Sequence, residues 1–215
     1  MMKSAGIVAF ALVCPLALWA QTPVQPSHGR NFSHLQVIDI ANGPNAIDID
    51  GDGRKDLVFN AHRSNFNAHD FEHITFYMQD HVEAGETDGT VQRKPMWNVV
   101  PFFNEKIPEY VAFDTIEGAD CWLRDMVLLR NPEGSVTVIT ADRTLGTSYA
   151  DKARMTFSIY RVAHNADGAP GSPPVYFQRI DQFQSRNLYC DANYAIAAEL
   201  GVKFRHPLED NGIDH

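Results

Sequence analysis

The chain has 215 residues, of which 27 are acidic and 18 are basic, and its formal net charge at neutral pH is −9. This length suits one domain, or at most two small ones. Nucleic acids and anionic membranes are bound by clustered Lys and Arg side chains. The acidic sequence contains no such cluster, which argues against both classes of partner.

The first twenty residues have the composition of a cleavable secretory signal. Lys3 supplies a short positive segment, and two apolar runs, 7–13 and 16–19, precede the polar residues that begin at Gln21. A membrane anchor is the rival interpretation, but the apolar stretch is short for a span of about 20 residues and contains Pro15. We therefore expect residues 1–20 to be removed and the mature protein to lie, without a membrane attachment, in the periplasm or outside the cell.

The pattern of the mature sequence predicts mainly β-strands. Residues 21–34 lack a hydrophobic period and are expected to form a flexible lead-in. Short apolar runs separated by turn residues follow, and they predict strands at 35–40, 57–61, 73–78, 96–102, 126–130, 135–140, 154–162 and 175–183. The segment 131–134 (NPEG) suits a type I turn, and Asp191 and Gly201 suit the two ends of a helix over 192–200. The pattern predicts an all-β protein, an antiparallel β-sandwich or barrel, with one domain over 35–215.

Removal of the signal would leave two of the three cysteines, Cys121 and Cys190. In an oxidising compartment, two cysteines indicate one disulfide. The bond would close a loop of about 70 residues and, in the chain-entropy account, contribute roughly 4 kcal/mol to stability. Two separate buried thiols are the alternative.

The segment 48–56 follows the pattern D-x-D-x-D-G-x-x-D. Its alternating carboxylates belong to Asp48, Asp50, Asp52 and Asp56. In a tight turn such carboxylates converge, and the backbone carbonyl of Arg54 can add a further oxygen. Phe59 stands where an EF-hand places its bidentate Glu, so the loop is of another kind. Hard oxygen ligands favour Ca²⁺ or another hard divalent cation, and an acidic turn without an ion is the alternative.

Other chemical motifs are weak. Residues 69–73 follow the pattern H-x-x-E-H, but strand-forming residues come directly after them. In an extended chain His69 and His73 lie about 13 Å apart, which is too far to share one Zn²⁺. The nucleophile motifs G-x-S-x-G and S-x-x-K do not occur, so no catalytic residue is assigned and no enzymatic activity is predicted. Ser148 and Tyr149 are predicted to lie in a loop, either as contacts for a partner or as a plain turn.

Several longer motifs resemble the carbapenem intrinsic-resistance family, the CarG-like proteins. These motifs lie at 48–58, 60–62, 67–69, 75–77, 118–125, 145–151 and 167–177. The resemblance extends over about residues 35–200. It implies a periplasmic β-sandwich with short terminal α-helices, a homodimer, a bound cation, and structural kinship to a periplasmic inhibitor of invertebrate-type lysozyme.

The resemblance also implies tolerance to carbapenem β-lactams. Because the nucleophile motifs of β-lactamases are absent, we expect the protein to bind the antibiotic or to shield its target rather than to hydrolyse it. The alternative is a protein-partner module that inhibits a lysozyme-type muramidase. The expected partners are accordingly a carbapenem or an envelope protein. A third hypothesis, a metal hydrolase that uses the region around His69, is the least favoured.

Overall fold

The structure, a computed structural model, describes residues 25–26 and 29–205 except 88–89 and 169, with the backbone alone at 25–26 and 80–95. The predicted signal peptide and part of the lead-in lie outside the described residues. The described part contains fourteen strands and one helix. They are β1 (Gln25–Pro26), β2 (Gln36–Ile38), β3 (Gly43–Ile47), β4 (Asp56–Ser64), β5 (His69–Thr87), β6 (Thr90–Val99), β7 (Phe102–Asn104), β8 (Ile107–Tyr110), β9 (Phe113–Asp114), β10 (Ile116–Gly118), β11 (Trp122–Arg130), β12 (Val136–Asp142), β13 (Ala153–His164), β14 (Val175–Tyr189) and α1 (Ala192–Leu200).

The strands form one sheet that is not closed into a barrel. Its main path runs β3-β4-β5-β10-β11-β12-β13-β14-β7-β8, and β1, β2, β6 and β9 attach beside that path. Most neighbours are antiparallel, but β1 and β7 each pair with β14 in parallel. A long stretch of chain separates β7 from β14, so no hairpin forces them to run in opposite directions. The all-β class is confirmed, and the sheet is mixed rather than wholly antiparallel.

Both faces of the central strands are buried. Along β11, Met126 and Leu128 point into one hydrophobic core, whereas Val127 and Leu129 point into a second core on the other face. This alternation follows from the period of two in a strand. The first core also contains Val58 of β4, so distant parts of the sheet pack face to face across it as in a sandwich.

Helix α1 covers the second core and has the bounds that the sequence predicts. Gly201 ends it in the left-handed conformation, with φ at +68°, and donates its N–H to the Ala197 carbonyl. Asp191 occupies the N-cap position that the sequence predicts, but its carboxylate accepts a hydrogen bond from the Trp122 N–H of β11 instead of one from the helix. No helix in the described part of the chain is long and apolar enough to span a membrane.

The hairpin between β11 and β12 is confirmed, since the N–H of Gly134 donates to the carbonyl of Asn131 at 2.9 Å. The sequence does not predict β3. Its residues Gly43, Pro44 and Asn45 are types that favour turns, yet this segment is the end strand of the main path. Proline is tolerated in such a strand because the outer edge of a sheet needs no N–H donor. This strand leads directly into the aspartate-rich segment.

Candidate functional site

The aspartate-rich segment 48–55 connects β3 to β4, and Asp56 is the first residue of β4. Oxygen atoms of Asp48, Asp50 and Asp56 lie within 4.8 Å of one another, which is close enough to share one metal ion. Asp56 is buried at the base of the turn, while Asp48 and Asp50 are half-buried. The pairing of Ile47 with Asp56 in the ladder brings the two ends of the turn together.

Backbone amides fix the conformation of this turn. The Asp48 carboxylate accepts hydrogen bonds from the N–H groups of Gly51 and Gly53, at 2.7 and 2.9 Å. Both glycines have φ near +87°, a conformation that other residues adopt only with strain. Arg130 of β11 donates to the Asp48 main-chain carbonyl. The turn is therefore held by the β11–β12 hairpin as well as by its own residues.

Asp52 stands apart from the other three carboxylates. It accepts hydrogen bonds from the backbone N–H and the guanidinium of Arg54. The backbone hydrogen bond is the largest cause that lowers the pKa of Asp52, and the charge of Arg54 adds to it. Of the four predicted carboxylate ligands, those of Asp48, Asp50 and Asp56 lie close together. The carboxylate of Asp52 pairs with Arg54 instead.

The gathered carboxylates suit a hard cation. Burial is the main cause that raises the pKa of Asp56, and the charge of Asp50 raises it further, although a hydrogen bond from the Ile49 N–H opposes the shift. A divalent ion among the three groups would offset this repulsion. The oxygen-only donor set matches the preference of Ca²⁺.

A second polar site lies in a pocket of about 470 Å³ that the sequence does not reveal. We call it the acid pocket and define it by five of its polar residues, Asn60, Glu72, Thr115, Glu117 and Asp125. The apolar residues on its walls are Val37, Ile38, Ile40, Ile74, Met126, Val127, Leu128 and Phe204, and Asp39, Trp122 and Asn193 complete its lining. The polar residues come from four separate segments of the chain, so no local motif could have indicated the site.

The carboxylates of the acid pocket are held in an unfavourable environment for charge. Burial is the main cause that raises the pKa of Asp125 to about 7, and the charges of Glu117 and Glu72 contribute to the shift. Burial likewise raises the pKa of Glu117, although a hydrogen bond from the Thr115 hydroxyl at 2.8 Å opposes this. The pocket therefore holds carboxyl groups that ionise less readily than exposed ones.

Two comparisons relate this chain to known proteins. A family model described as "Carbapenem resistance protein CarG-like" matches residues 40–198. The chain belongs to the CarG-like family. A solved structure described as "Crystal structure of CarG" matches with a TM-score of 0.59 and 23% sequence identity, covering 77% of this chain and 99% of that one. At this identity the likeness concerns the fold, and no curated protein matches the sequence.

The predicted disulfide of this CarG-like chain is confirmed. Cys121 and Cys190 are bonded, with their Cα atoms 5.1 Å apart and a separation of 69 positions in sequence. The bond joins the segment before β11 to the segment before α1. Leu123 packs with the two cysteines in a small buried cluster, and Tyr149 lies against it.

The predicted contact residues Ser148 and Tyr149 occupy different environments in the CarG-like fold. Ser148 is exposed, and its hydroxyl accepts a hydrogen bond from the Ala150 N–H at 3.0 Å. The Tyr149 ring is half-buried against His69, with ring centroids 4.3 Å apart. Asp151 fixes the loop, because its carboxylate accepts hydrogen bonds from both the N–H and hydroxyl of Thr147 and from the Ser148 N–H.

The histidines of segment 69–73 lie on β5, so the extended conformation predicted for them is confirmed. His73 pairs with Asp114 at 2.7 Å, whereas the His69 ring packs against Tyr149 at a tilt of 34°. His69 and His73 are not among the groups of the described residues that could share a metal ion. The structure thus gives the zinc hypothesis no support.

Proposed function

We propose that this CarG-like protein binds calcium, works outside the cytoplasm and confers tolerance to carbapenems without hydrolysing them. The match of the family model to residues 40–198 carries this proposal, because it connects most of the chain to carbapenem resistance. Binding of the antibiotic or shielding of its target is the mechanism we favour. The sequence contains neither the G-x-S-x-G nor the S-x-x-K motif of serine hydrolases, which supports protection without bond cleavage.

Calcium is proposed as a structural ligand. The convergence of Asp48, Asp50 and Asp56 supports it, and so does the burial of Asp56 next to other negative charges. An ion at this point would fix the connection between β3 and β4 and, through Arg130, the neighbouring hairpin. Its contribution would be stability of the fold rather than chemistry on a substrate.

Location outside the cytoplasm is supported by two features. The first twenty residues have the layout of a secretory signal, and Cys121 and Cys190 form a disulfide, which persists in oxidising compartments. The homodimer that the family resemblance implies is part of the same proposal. Light scattering on the purified mature protein measures its mass, and a monomeric mass at micromolar concentration would contradict the dimer.

Expression in a carbapenem-sensitive Gram-negative strain tests the function. We expect the full-length protein to raise the inhibitory concentration of a carbapenem while the amount of intact drug in the medium stays the same. The matched control lacks residues 1–20 and should not protect, because it would remain in the cytoplasm. Protection accompanied by loss of intact drug would contradict the non-enzymatic mechanism, and a fully exported protein that gives no protection would contradict the function itself.

A lysozyme inhibitor remains the second candidate, and the loop before Tyr149 favours it. Residues 144–148 are all exposed, and hydrogen bonds to Asp151 order the end of this segment at Thr147 and Ser148. An exposed loop that is already ordered loses little entropy on binding a partner. Purified protein should then inhibit an invertebrate-type lysozyme, and Leu145→Asp, a change at an exposed apolar residue of this loop, should weaken inhibition. Full activity of the lysozyme at saturating protein would exclude this candidate.

A further inference from the structure

The acid pocket contains hydrogen-bond acceptors that no donor of the described residues satisfies. Asn60 is only 7% exposed, and its side-chain Oδ1 has no hydrogen-bond partner. The Oε2 atom of Glu72 is also buried without a partner. Buried acceptors are costly when they lack a donor, so native proteins rarely leave them unsatisfied without a reason. Both residues line the same pocket.

Two hydrogen-bond donors of the acid pocket are already engaged by its own carboxylates. The Thr115 hydroxyl donates to Glu117, and the Met126 N–H donates to Asp125. His62 lies 2.9 Å from the other oxygen of Glu72 and is exposed outside the pocket. The described residues that line the pocket include no Lys, Arg or His side chain. A ligand that brings its own donors would therefore complete the site.

The charged side chains that line the pocket are all negative. Glu72 lies on β5, Glu117 on β10 and Asp125 on β11, and Asp39 lies in the lining and pairs with Arg205 at 3.4 Å. Three carboxylates in a partly buried pocket repel one another and attract a positive group. Burial is the main cause of the raised pKa values of Asp125 and Glu117, and this repulsion adds to it.

A single metal ion does not fit this arrangement. Among the described residues, the carboxylates close enough to share an ion are those of Asp48, Asp50 and Asp56, because the other close group contains Cys121 and Cys190, whose sulfurs are joined in a disulfide. The carboxylates of the acid pocket are not among these groups. A volume of about 470 Å³ and a lining of aliphatic side chains instead suit an organic molecule with an apolar body.

We propose that the acid pocket binds a small organic cation, an amine, amidine or guanidine attached to an apolar group. The cationic head donates to Glu72, Asp125 and the Asn60 amide oxygen, and its apolar part packs on the aliphatic wall formed by β2 and β11. Charge-assisted hydrogen bonds of this kind are stronger than neutral ones, and a planar amidinium can contact a carboxylate through two parallel bonds. A carbapenem carries a carboxylate, which this pocket would repel, so the proposed cation site is separate from any site for the antibiotic.

Calorimetric titration of the purified mature protein with three ligands of one shape tests the proposal. Benzamidine carries the positive charge, benzamide is its neutral counterpart and benzoate is its negative counterpart. Saturating calcium is included in every titration to occupy the proposed calcium site in the turn over residues 48–56, which we call the aspartate turn, so that an amidinium does not bind there. We expect benzamidine to bind at least about tenfold more tightly than benzamide and benzoate not to bind, since a charged hydrogen bond contributes on this scale. Equal binding of benzamidine and benzamide, or no benzamidine binding at millimolar concentration, would overturn the proposal.

Near-isosteric variants locate the site. Glu72→Gln and Asp125→Asn each remove one negative charge, and each should weaken benzamidine binding about tenfold. Asp167→Asn removes a charge from an exposed turn outside the pocket and should leave binding unchanged. If all three variants bind benzamidine as the parent protein does, the cation binds elsewhere and the assignment fails. The ligand comparison on the parent protein stands even if a variant does not fold, and neither result depends on carbapenem tolerance.

Discussion

The backbone N–H of Ile49 donates a hydrogen bond to the buried carboxylate of Asp56 at 2.9 Å. This bond closes the aspartate turn across its base and places Asp56 under Asp48 and Asp50. The same carboxylate thus has a structural role before any ion is present. Its burial near two other negative groups explains why an ion is expected to stabilise the fold.

Calcium should raise the melting temperature of the protein through Asp50. An ion that binds only the native state adds about 2.7 kcal/mol when its concentration is a hundred times its dissociation constant. For a domain of this size we expect a rise of roughly 5 °C or more, reversed by a chelator. The variant Asp50→Asn, which keeps an oxygen that can accept from the Asp52 N–H, should lose most of the rise.

The control for this melting experiment is Asp167→Asn, which changes one exposed carboxylate outside the turn. It should respond to calcium as the parent protein does. If the parent protein melts at the same temperature with calcium and with a chelator, the proposed calcium site is wrong. If Asp50→Asn retains the full rise, the ion binds elsewhere.

Two glycines of the turn provide a matched pair for stability. A Cβ atom at Gly51 would lie 2.8 Å from the backbone nitrogen of Ser135, whereas a Cβ at Gly53 would meet no atom within 4 Å. Both have φ near +87°, so both substitutions to Ala carry a similar strain of about 1 kcal/mol. Gly51→Ala should cost roughly 1–3 kcal/mol more than Gly53→Ala, because the hairpin must also move.

Urea unfolding of both glycine variants at saturating calcium measures this difference. The comparison needs no assumption about function, since both variants keep every aspartate. Equal losses of stability would indicate that the turn and the hairpin between β11 and β12 are not packed together.

The sequence predicts elements whose signals are local. The turn at 131–134, the helix over 192–200 and the aspartate turn each depend on neighbouring residue types, and the structure places each where the pattern indicates. The acid pocket could not be predicted this way, because Asn60, Glu72 and Asp125 meet only through sheet pairing over long sequence distances. The partner of the Asp191 carboxylate could not be predicted for a similar reason, since a tertiary hydrogen bond from the Trp122 N–H replaces a local one at this N-cap residue.

Removal of the disulfide should destabilise the protein substantially. The variant with both Cys121→Ser and Cys190→Ser loses a link across 69 positions of the chain. We expect a loss of about 2–5 kcal/mol, since the link restricts the unfolded state and a buried cluster is disturbed. Urea unfolding of the variant, beside the oxidised and reduced parent protein, measures the loss. A variant as stable as the oxidised parent would show that the link contributes nothing.

The stability of the protein should depend on pH through Asp125, whose pKa burial raises from 3.8 to about 7. Between about pH 4 and 7 the folded state keeps a proton that the unfolded state has lost, so stability falls as pH rises through this window and levels off above it. Glu72, Glu117 and Asp191 are the negative groups that act on Asp125. Asp125→Asn removes the penalty and still accepts the hydrogen bond from the Met126 N–H.

The Asp125→Asn variant should therefore match the parent protein at pH 4 and exceed its stability at pH 8 by about 1–3 kcal/mol. Melting temperatures of the two proteins, measured side by side across this range, give the difference directly. Calcium release at low pH affects both proteins equally and so cancels in the comparison. Asp167→Asn should show no such trend, because that carboxylate is exposed. The difference in stability between Asp125→Asn and the parent protein could instead stay constant from pH 4 to 8. Asp125 would then ionise as an ordinary carboxyl group, and the charge repulsion attributed to the acid pocket would be absent.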